Sequence, residues 1–257
     1  MKRIKLTVAY DGTNYCGWQI QDNGITIEEV LNRELSKLLQ EDIKIIGASR
    51  TDSGVHALGN VAVFDTETRI PPEKISFALN QRLPDDIRIQ ESCQVADDFH
   101  PRFCDTIKTY EYRIWNDKFP NPLVRLYSKF CYFHVDVAKM EQAAAYLIGE
   151  HDFKSFCTPR TQVESTVRTV TEISFRTEGK MIIMTIMVGR IKLSAPKSRR
   201  QINPHPSPIN TLGRFFDSIH CSTMITTNNA VIAKSIPVVS IGRTEPSSAP
   251  IADPMIQ

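Results

Sequence analysis

The sequence has no apolar run near the roughly 20 residues that a membrane-spanning helix needs, which excludes a helical membrane protein. It has no Cys-x-x-Cys pair. The six cysteines, at positions 16, 93, 104, 131, 157 and 221, are scattered, which argues against a zinc ribbon or a disulfide scaffold and suits a reducing compartment. A signal-peptide core is missing too, because Met1-Lys2-Arg3-Ile4-Lys5-Leu6 enters a strand-like pattern at once, so a cytoplasmic location is expected. Net charge is nearly absent: 31 Lys+Arg against 29 Asp+Glu leave +2. What remains is an ordinary globular composition, 41% hydrophobic and 23% charged over 257 residues, enough for one large domain or two small ones.

The small net charge hides a split. Residues 1–179 hold 26 acidic and 22 basic side chains, whereas residues 180–257 hold 3 and 9, with 8 of the 15 prolines. The tail reads as a basic nucleic-acid-binding extension, a disordered segment, or sequence foreign to the fold.

Periodicity organises the rest. Arg3 to Tyr10 is a strand, and Asp11-Gly12-Thr13-Asn14 a turn. Thr26 caps a helix with Ile27, Val30, Leu31, Leu35, Leu38 and Leu39 on one face. Strands are expected at Ile43 to Ala48, Asn60 to Phe64 and Ile87 to Val95, with a helix from Pro71 to about Arg82. The order β-α-β-β-α-β is the ferredoxin-like motif. A second, incomplete unit follows: strands at Thr109 to Trp115 and Lys129 to Val135, a helix from Asp136 to near Gly149, and an antiparallel pair Val167 to Arg176 and Met181 to Val188. The expected division is a ferredoxin-like half over 1–105, an incomplete second half over 106–186, and an atypical basic, proline- and serine-rich tail over 187–257.

Three segments carry chemistry. Ser49-Arg50-Thr51-Asp52-Ser53-Gly54-Val55-His56 is a polar loop between two strands. An Arg two residues from an Asp can pair with it and keep it ionised, and a positioned carboxylate can act as nucleophile or base. The same residues also compose a surface loop with an ion pair. Tyr10 to Gln21, with Trp18 and Gln19, combines aromatics and amides suited to stacking on and bonding to bases, or to a structural turn. Phe99-His100-Pro101-Arg102-Phe103 and Lys108-Thr109-Tyr110-Glu111-Tyr112-Arg113 interleave basic and aromatic residues, as on nucleic-acid-binding sheets or in a tyrosine-containing core.

Together these segments resemble the tRNA pseudouridine synthase A (TruA) family. The matches are Tyr10-Asp11-Gly12-Thr13 with Gly17-Trp18-Gln19, then Arg50-Thr51-Asp52-Ser53-Gly54-Val55-His56-Ala57, and Leu79-Asn80 with Leu83-Pro84-Asp85-Asp86-Ile87. Phe99 to Phe103, Lys108 to Tyr112, and Gly149-Glu150-His151-Asp152-Phe153 with Ser155-Phe156 complete them in family order. The resemblance implies an α+β fold of two ferredoxin-like halves in a largely antiparallel mixed sheet, with helices on one face and an RNA-binding cleft on the other. It implies an isomerase that converts uridine to pseudouridine in the tRNA anticodon stem-loop, working as a homodimer without metal or cofactor. Asp52 is then the catalytic residue, by attack on ribose C1′ or by a glycal route. Arg50 pairs with it and helps hold the flipped nucleotide, and Tyr110 stacks on the uracil. Tyr10, Trp18, Gln19, His56, His100, Arg102 and Lys108 are expected at the substrate. His56 and His151 read as structural or RNA-contacting rather than as ligands.

The resemblance fades after Glu178-Gly179. Family members continue as Gly-Asn-Gly-Phe-Leu-Tyr-Asn-Met-Val-Arg, whereas this chain reads Lys180 to Arg190 with only Met187-Val188-Gly189-Arg190 as an echo. Arg190 is the stand-in for the family's arginine. The departure keeps a second reading open: a weak or inactive RNA-binding homologue.

Overall fold

The computed structural model describes residues 1–104, 106–157, 165–189 and 238–243. Arg190 and the expected tail, apart from its 187–189 and 238–243 segments, lie outside the described residues.

The fold is α+β, as two halves of one ten-stranded, mainly antiparallel sheet in the order β4-β1-β3-β10-β5-β9-β8-β7, with β2 beside β3 and β6 beside β5. The first half holds β1 (Lys2–Tyr10), α1 (Ile27–Leu39), β2 (Ile46–Gly47), β3 (Ala57–Thr66), α2 (Ile75–Asn80) and β4 (Ile87–Val95). In β1 every second residue is fully buried: Ile4, Leu6, Val8 and Tyr10 turn inward while Arg3, Lys5 and Thr7 do not. Helix α1 starts where the Thr26 hydroxyl accepts from the Glu29 amide, with Glu28 and Glu29 in its first turn. Its apolar stripe Ile27, Val30, Leu31, Leu35 and Leu39 packs with Ile75 and Leu79 of α2 on the β1 residues, with Leu38 half-buried at the margin.

The second half holds β5 (Ile107–Asn116), β6 (Lys129–Cys131), α3 (Val137–Ala144), β7 (Gly149–Asp152), β8 (Val167–Glu178) and β9 (Met181–Gly189). Among the described residues its core comprises Tyr112, Ile114, Cys131, Met140, Ile182 and Met184. The strand β10 (Val238–Arg243) lies between the halves, antiparallel to Ile107–Tyr112 and bridged to β3 at Ser240 and Ala57.

Two expected strands are shorter than their apolar sequence suggests, and one cause explains both. At Ile43 to Ala48 only Ile46–Gly47 joins β3, because side chains of α1 take the backbone amides before it. Ser36 Oγ accepts from the Ile43 amide and Asn32 Oδ1 from the Ile45 amide, both at 2.9 Å. At Lys129 to Val135 the ladder stops at Cys131, because the Asn116 amide group donates to the carbonyls of Cys131 and Phe133 and accepts from Val135 N. The helix expected from Pro71 opens instead as a 3-10 turn (Pro72–Lys74) before α2, and α3 ends at Ala144 in a further 3-10 turn. No helix among the described residues is long and apolar enough to cross a membrane.

Candidate active site

The loop between β2 and β3 is gripped by the chain that follows β1. Thr51 is anchored twice: its carbonyl accepts from the Trp18 amide at 3.0 Å, and its hydroxyl shares a 2.7 Å hydrogen bond with the Tyr10 phenol. The Tyr15 carbonyl accepts from both the Gly54 amide and the Ser53 hydroxyl at 3.2 Å. Two glycines make this approach possible. A Cβ on Gly12 would stand 2.0 Å from the Val55 carbonyl oxygen, and one on Gly17 would stand 2.5 Å from that of Thr51. Gly17 also sits at φ +85°, where side chains are strained, and Gly54 turns the loop at φ +77°. The glycines of Tyr10-Asp11-Gly12 and Gly17-Trp18 are thus the steric complement of Arg50 to Val55.

This grip presents Asp52 outward. Its backbone is fixed by the Val55 amide donating to its carbonyl at 3.2 Å, while its side chain is exposed. Arg50 is exposed as well. The expected Arg50–Asp52 ion pair does not form, and neither group has an ion-pair partner among the described residues. The reason is Thr51: with its hydroxyl pulled down to Tyr10, its neighbours on either side project into solvent, where an isolated pair gains little.

Tyr10 and Trp18 are 4% and 1% exposed. They are therefore not available to stack on a base, and they support the loop from below. Burial pushes the Tyr10 phenol up to about 12, so it stays a neutral hydrogen-bonding group. The Trp18 ring covers Gly47, where a Cβ would meet Nε1 at 2.4 Å. His56 is buried too, with Nε2 3.2 Å from the Leu126 carbonyl, which removes it from the RNA-facing set. Gln19 is exposed at the rim. His151 is exposed, with its ring bonded to the Ile148 carbonyl.

The second cluster reaches the loop from β5. The Lys108 ammonium donates to the Ala48 carbonyl at 3.3 Å and Arg102 Nε to the Gly47 carbonyl at 2.8 Å, both at the point where the loop leaves β2. His100 stacks on Phe103 with ring centroids 4.4 Å apart, and its Nδ1 accepts from the Arg102 amide. Tyr110 lies two residues along β5 from Lys108, on the same face. Sequence reading overlooked Arg168, at the start of β8. Lys108 and Val170 are both registered on Val188, so Arg168 shares the face of Lys108 and Tyr110. Burial, then the charges of Arg168 and Arg102, lower the Lys108 ammonium from its ordinary value; burial raises the Tyr110 phenol. No carboxylate among the described residues pairs with these three cations. Such a patch of positive charge without acidic partners among the described residues, on the face of a half-buried phenol, suits an anionic polymer. No group of His, Cys, Asp and Glu among the described residues could hold a metal ion.

A family model described as tRNA pseudouridine synthase matches residues 6–104 and 143–197. Tested against curated proteins, the chain is 48% identical over 170 residues to tRNA pseudouridine synthase A of Ruminiclostridium cellulolyticum, covering 66% of this chain and 69% of the relative. It is 44% identical over 182 residues to tRNA pseudouridine synthase A of Acetivibrio thermocellus, covering 71% and 75%. It is 46% identical over 182 residues to tRNA pseudouridine synthase A 2 of Clostridium perfringens, again 71% and 75%. The chain belongs to the tRNA pseudouridine synthase A family, a family of isomerases that act in tRNA pseudouridylation.

Proposed function

We propose that the protein isomerises uridine to pseudouridine in the tRNA anticodon stem-loop, with Asp52 as the catalytic residue. The observation that carries this reading is the exposed Asp52 carboxylate, without an ion-pair partner among the described residues, on a loop whose backbone is locked by Gly12, Gly17, Tyr10 and Trp18. Preorganised groups act without reorganising at the moment of reaction, which is where an enzyme gains most. In the reaction the N1–C1′ bond breaks, the uracil turns and a C5–C1′ bond forms; in net, one proton leaves C5 and one joins N1. Asp52 acts at the ribose. Tyr110, neutral because burial raises its phenol, stacks on the uracil and stands near C5. Arg50, free of an acidic partner among the described residues, holds the extruded nucleotide. Lys108, Arg102 and Arg168 take the phosphates, offsetting the few kcal/mol that unstacking costs. Homodimeric assembly is what the family resemblance implies, and a cytoplasmic location is what the scattered cysteines suit.

The test is incubation of the full chain with an unmodified tRNA transcript and mapping of pseudouridine along it. Product in the anticodon arm is the expected result, and product elsewhere overturns the site. Tight binding without product supports the second reading, a catalytically weak RNA-binding homologue. One observation favours that reading: the sequence from Lys180 departs from the family's Phe-Leu-Tyr-Asn-Met-Val-Arg.

A further inference from the structure

The buried His56 ring joins the catalytic loop to the other half of the molecule. Its Nε2 faces the Leu126 carbonyl at 3.2 Å, an acceptor only, so Nε2 carries a proton. Its Nδ1 has two neighbours, the Gly12 amide at 3.2 Å and the Asp11 carboxylate at 2.9 Å. Asp11 in turn accepts a 2.6 Å hydrogen bond from the Tyr127 phenol, whose ring lies on His56 with centroids 5.0 Å apart. The 121–128 segment that carries Leu126 and Tyr127 is itself compact: the Leu123 amide bonds to the Asn121 side chain, the Tyr127 amide to the Val124 carbonyl, and the Ser128 hydroxyl to the same carbonyl. A firm segment is thus fastened to both strands of the gripped loop, at Asp11 on one side and at His56, four residues after Asp52, on the other.

We propose that Asp11, His56 and Tyr127 form a latch by which the 121–128 segment of the second half fixes the base of the Arg50 to Val55 loop, so that His56 and Tyr127 are positioning residues for Asp52. Neither imidazole nitrogen is free for substrate, so the role is exerted through the loop. Loss of the latch lets the loop move without removing any group that meets RNA. Because a misplacement of about 1 Å can cost on the order of a hundredfold in rate, the effect falls on turnover rather than on affinity. The role rests on Asp52 being the catalytic residue; the latch itself does not.

The experiment therefore has two readouts on the full chain. The first is hydrogen–deuterium exchange in Tyr127→Phe, His56→Gln, His56→Asn and Asp52→Asn. The latch predicts exchange about tenfold faster in Tyr127→Phe, confined to residues 49–57 and 121–128, with Asp52→Asn unchanged. Unaltered exchange in the loop, or equal acceleration throughout the protein, overturns it. The second is steady-state kinetics on tRNA. The variants lower kcat about tenfold or more with KM for tRNA unchanged. His56→Gln, whose amide reaches the place of Nε2 and keeps the Leu126 bond, retains more activity than His56→Asn, whose amide stands at the place of Nδ1. A raised KM, or His56→Asn as active as His56→Gln, refutes the positioning role. If the unaltered protein makes no pseudouridine, the assignment of Asp52 fails while exchange still decides the latch.

Discussion

The two halves share a topology and differ in how they close. Among the described residues, twenty-one buried side chains make the first core, drawn from β1, β3, β4, both helices and the loops between them, whereas the second core has six, with the eight-residue α3 packed on its sheet. Correspondingly, Phe119, Tyr132 and Tyr146 of the second half are 68%, 76% and 63% exposed. The difference teaches where the site gets its rigidity. The backbone hydrogen bonds and glycine contacts that grip the Asp52 loop come from the first half, whereas the second half supplies Lys108, Tyr110 and Arg168, the groups proposed to meet a polyanion, and the clasp at Tyr127. Catalytic geometry needs a stiff base; phosphate contacts tolerate a softer one.

The largest effect that probes this contrast is truncation of each core. Leu31→Ala, fully buried between α1 and the sheet, is expected to cost about 3–5 kcal/mol, and Met140→Ala, against half-buried neighbours, closer to 2 kcal/mol. Chemical unfolding of both variants checks it, and equal losses would break the comparison. Next is Gly12→Ala. Its methyl has no room against Val55 and must displace the loop, for about 1–3 kcal/mol of stability together with the activity, seen in melting temperature and turnover. Lys108→Ala comes third. It should weaken tRNA binding by about 1 kcal/mol and reduce the slope of log affinity against log salt by about one, as loss of a single phosphate contact does, with the fold intact.

The smallest effect is a pH dependence. Burial alone would raise the Asp11 carboxyl, but hydrogen bonds from Thr13 and Tyr127 and the nearby His56 outweigh it and hold the group below its ordinary value. A carboxyl depressed in the folded state contributes stability above its unfolded pKa, and that contribution is lost as pH falls from about 4 downward. Asp11→Asn should flatten the acid limb of the stability curve by lowering stability near neutrality, while leaving it unchanged well below about pH 4.

Much of this was legible in the sequence because it is local. The alternation of β1, the Thr26 cap and stripe of α1, and the strand from Ile87 are patterns within a dozen residues. The shortened strands were not, because the amides of Ile43 and Ile45 bond to side chains of α1, and Val135 to Asn116, where hydrophobicity alone suggests a ladder. Among the site residues, Arg50, Asp52 and Tyr110 stood out by motif, yet burial reversed the roles of Tyr10, Trp18 and His56 from ligand contact to support. Arg168 carries no local signal, and Tyr127 meets Asp11 across 116 positions of chain. Only the register of β5, β9 and β8 and the docking of 121–128 bring them to the site.

The most direct measurement is release of tritium from C5 of 5-tritiated uridine in unmodified tRNA, by the unaltered protein and by Asp52→Asn, with tRNA affinity measured alongside. The account predicts release by the first and none by the second at equal affinity. Release that persists in Asp52→Asn would contradict it.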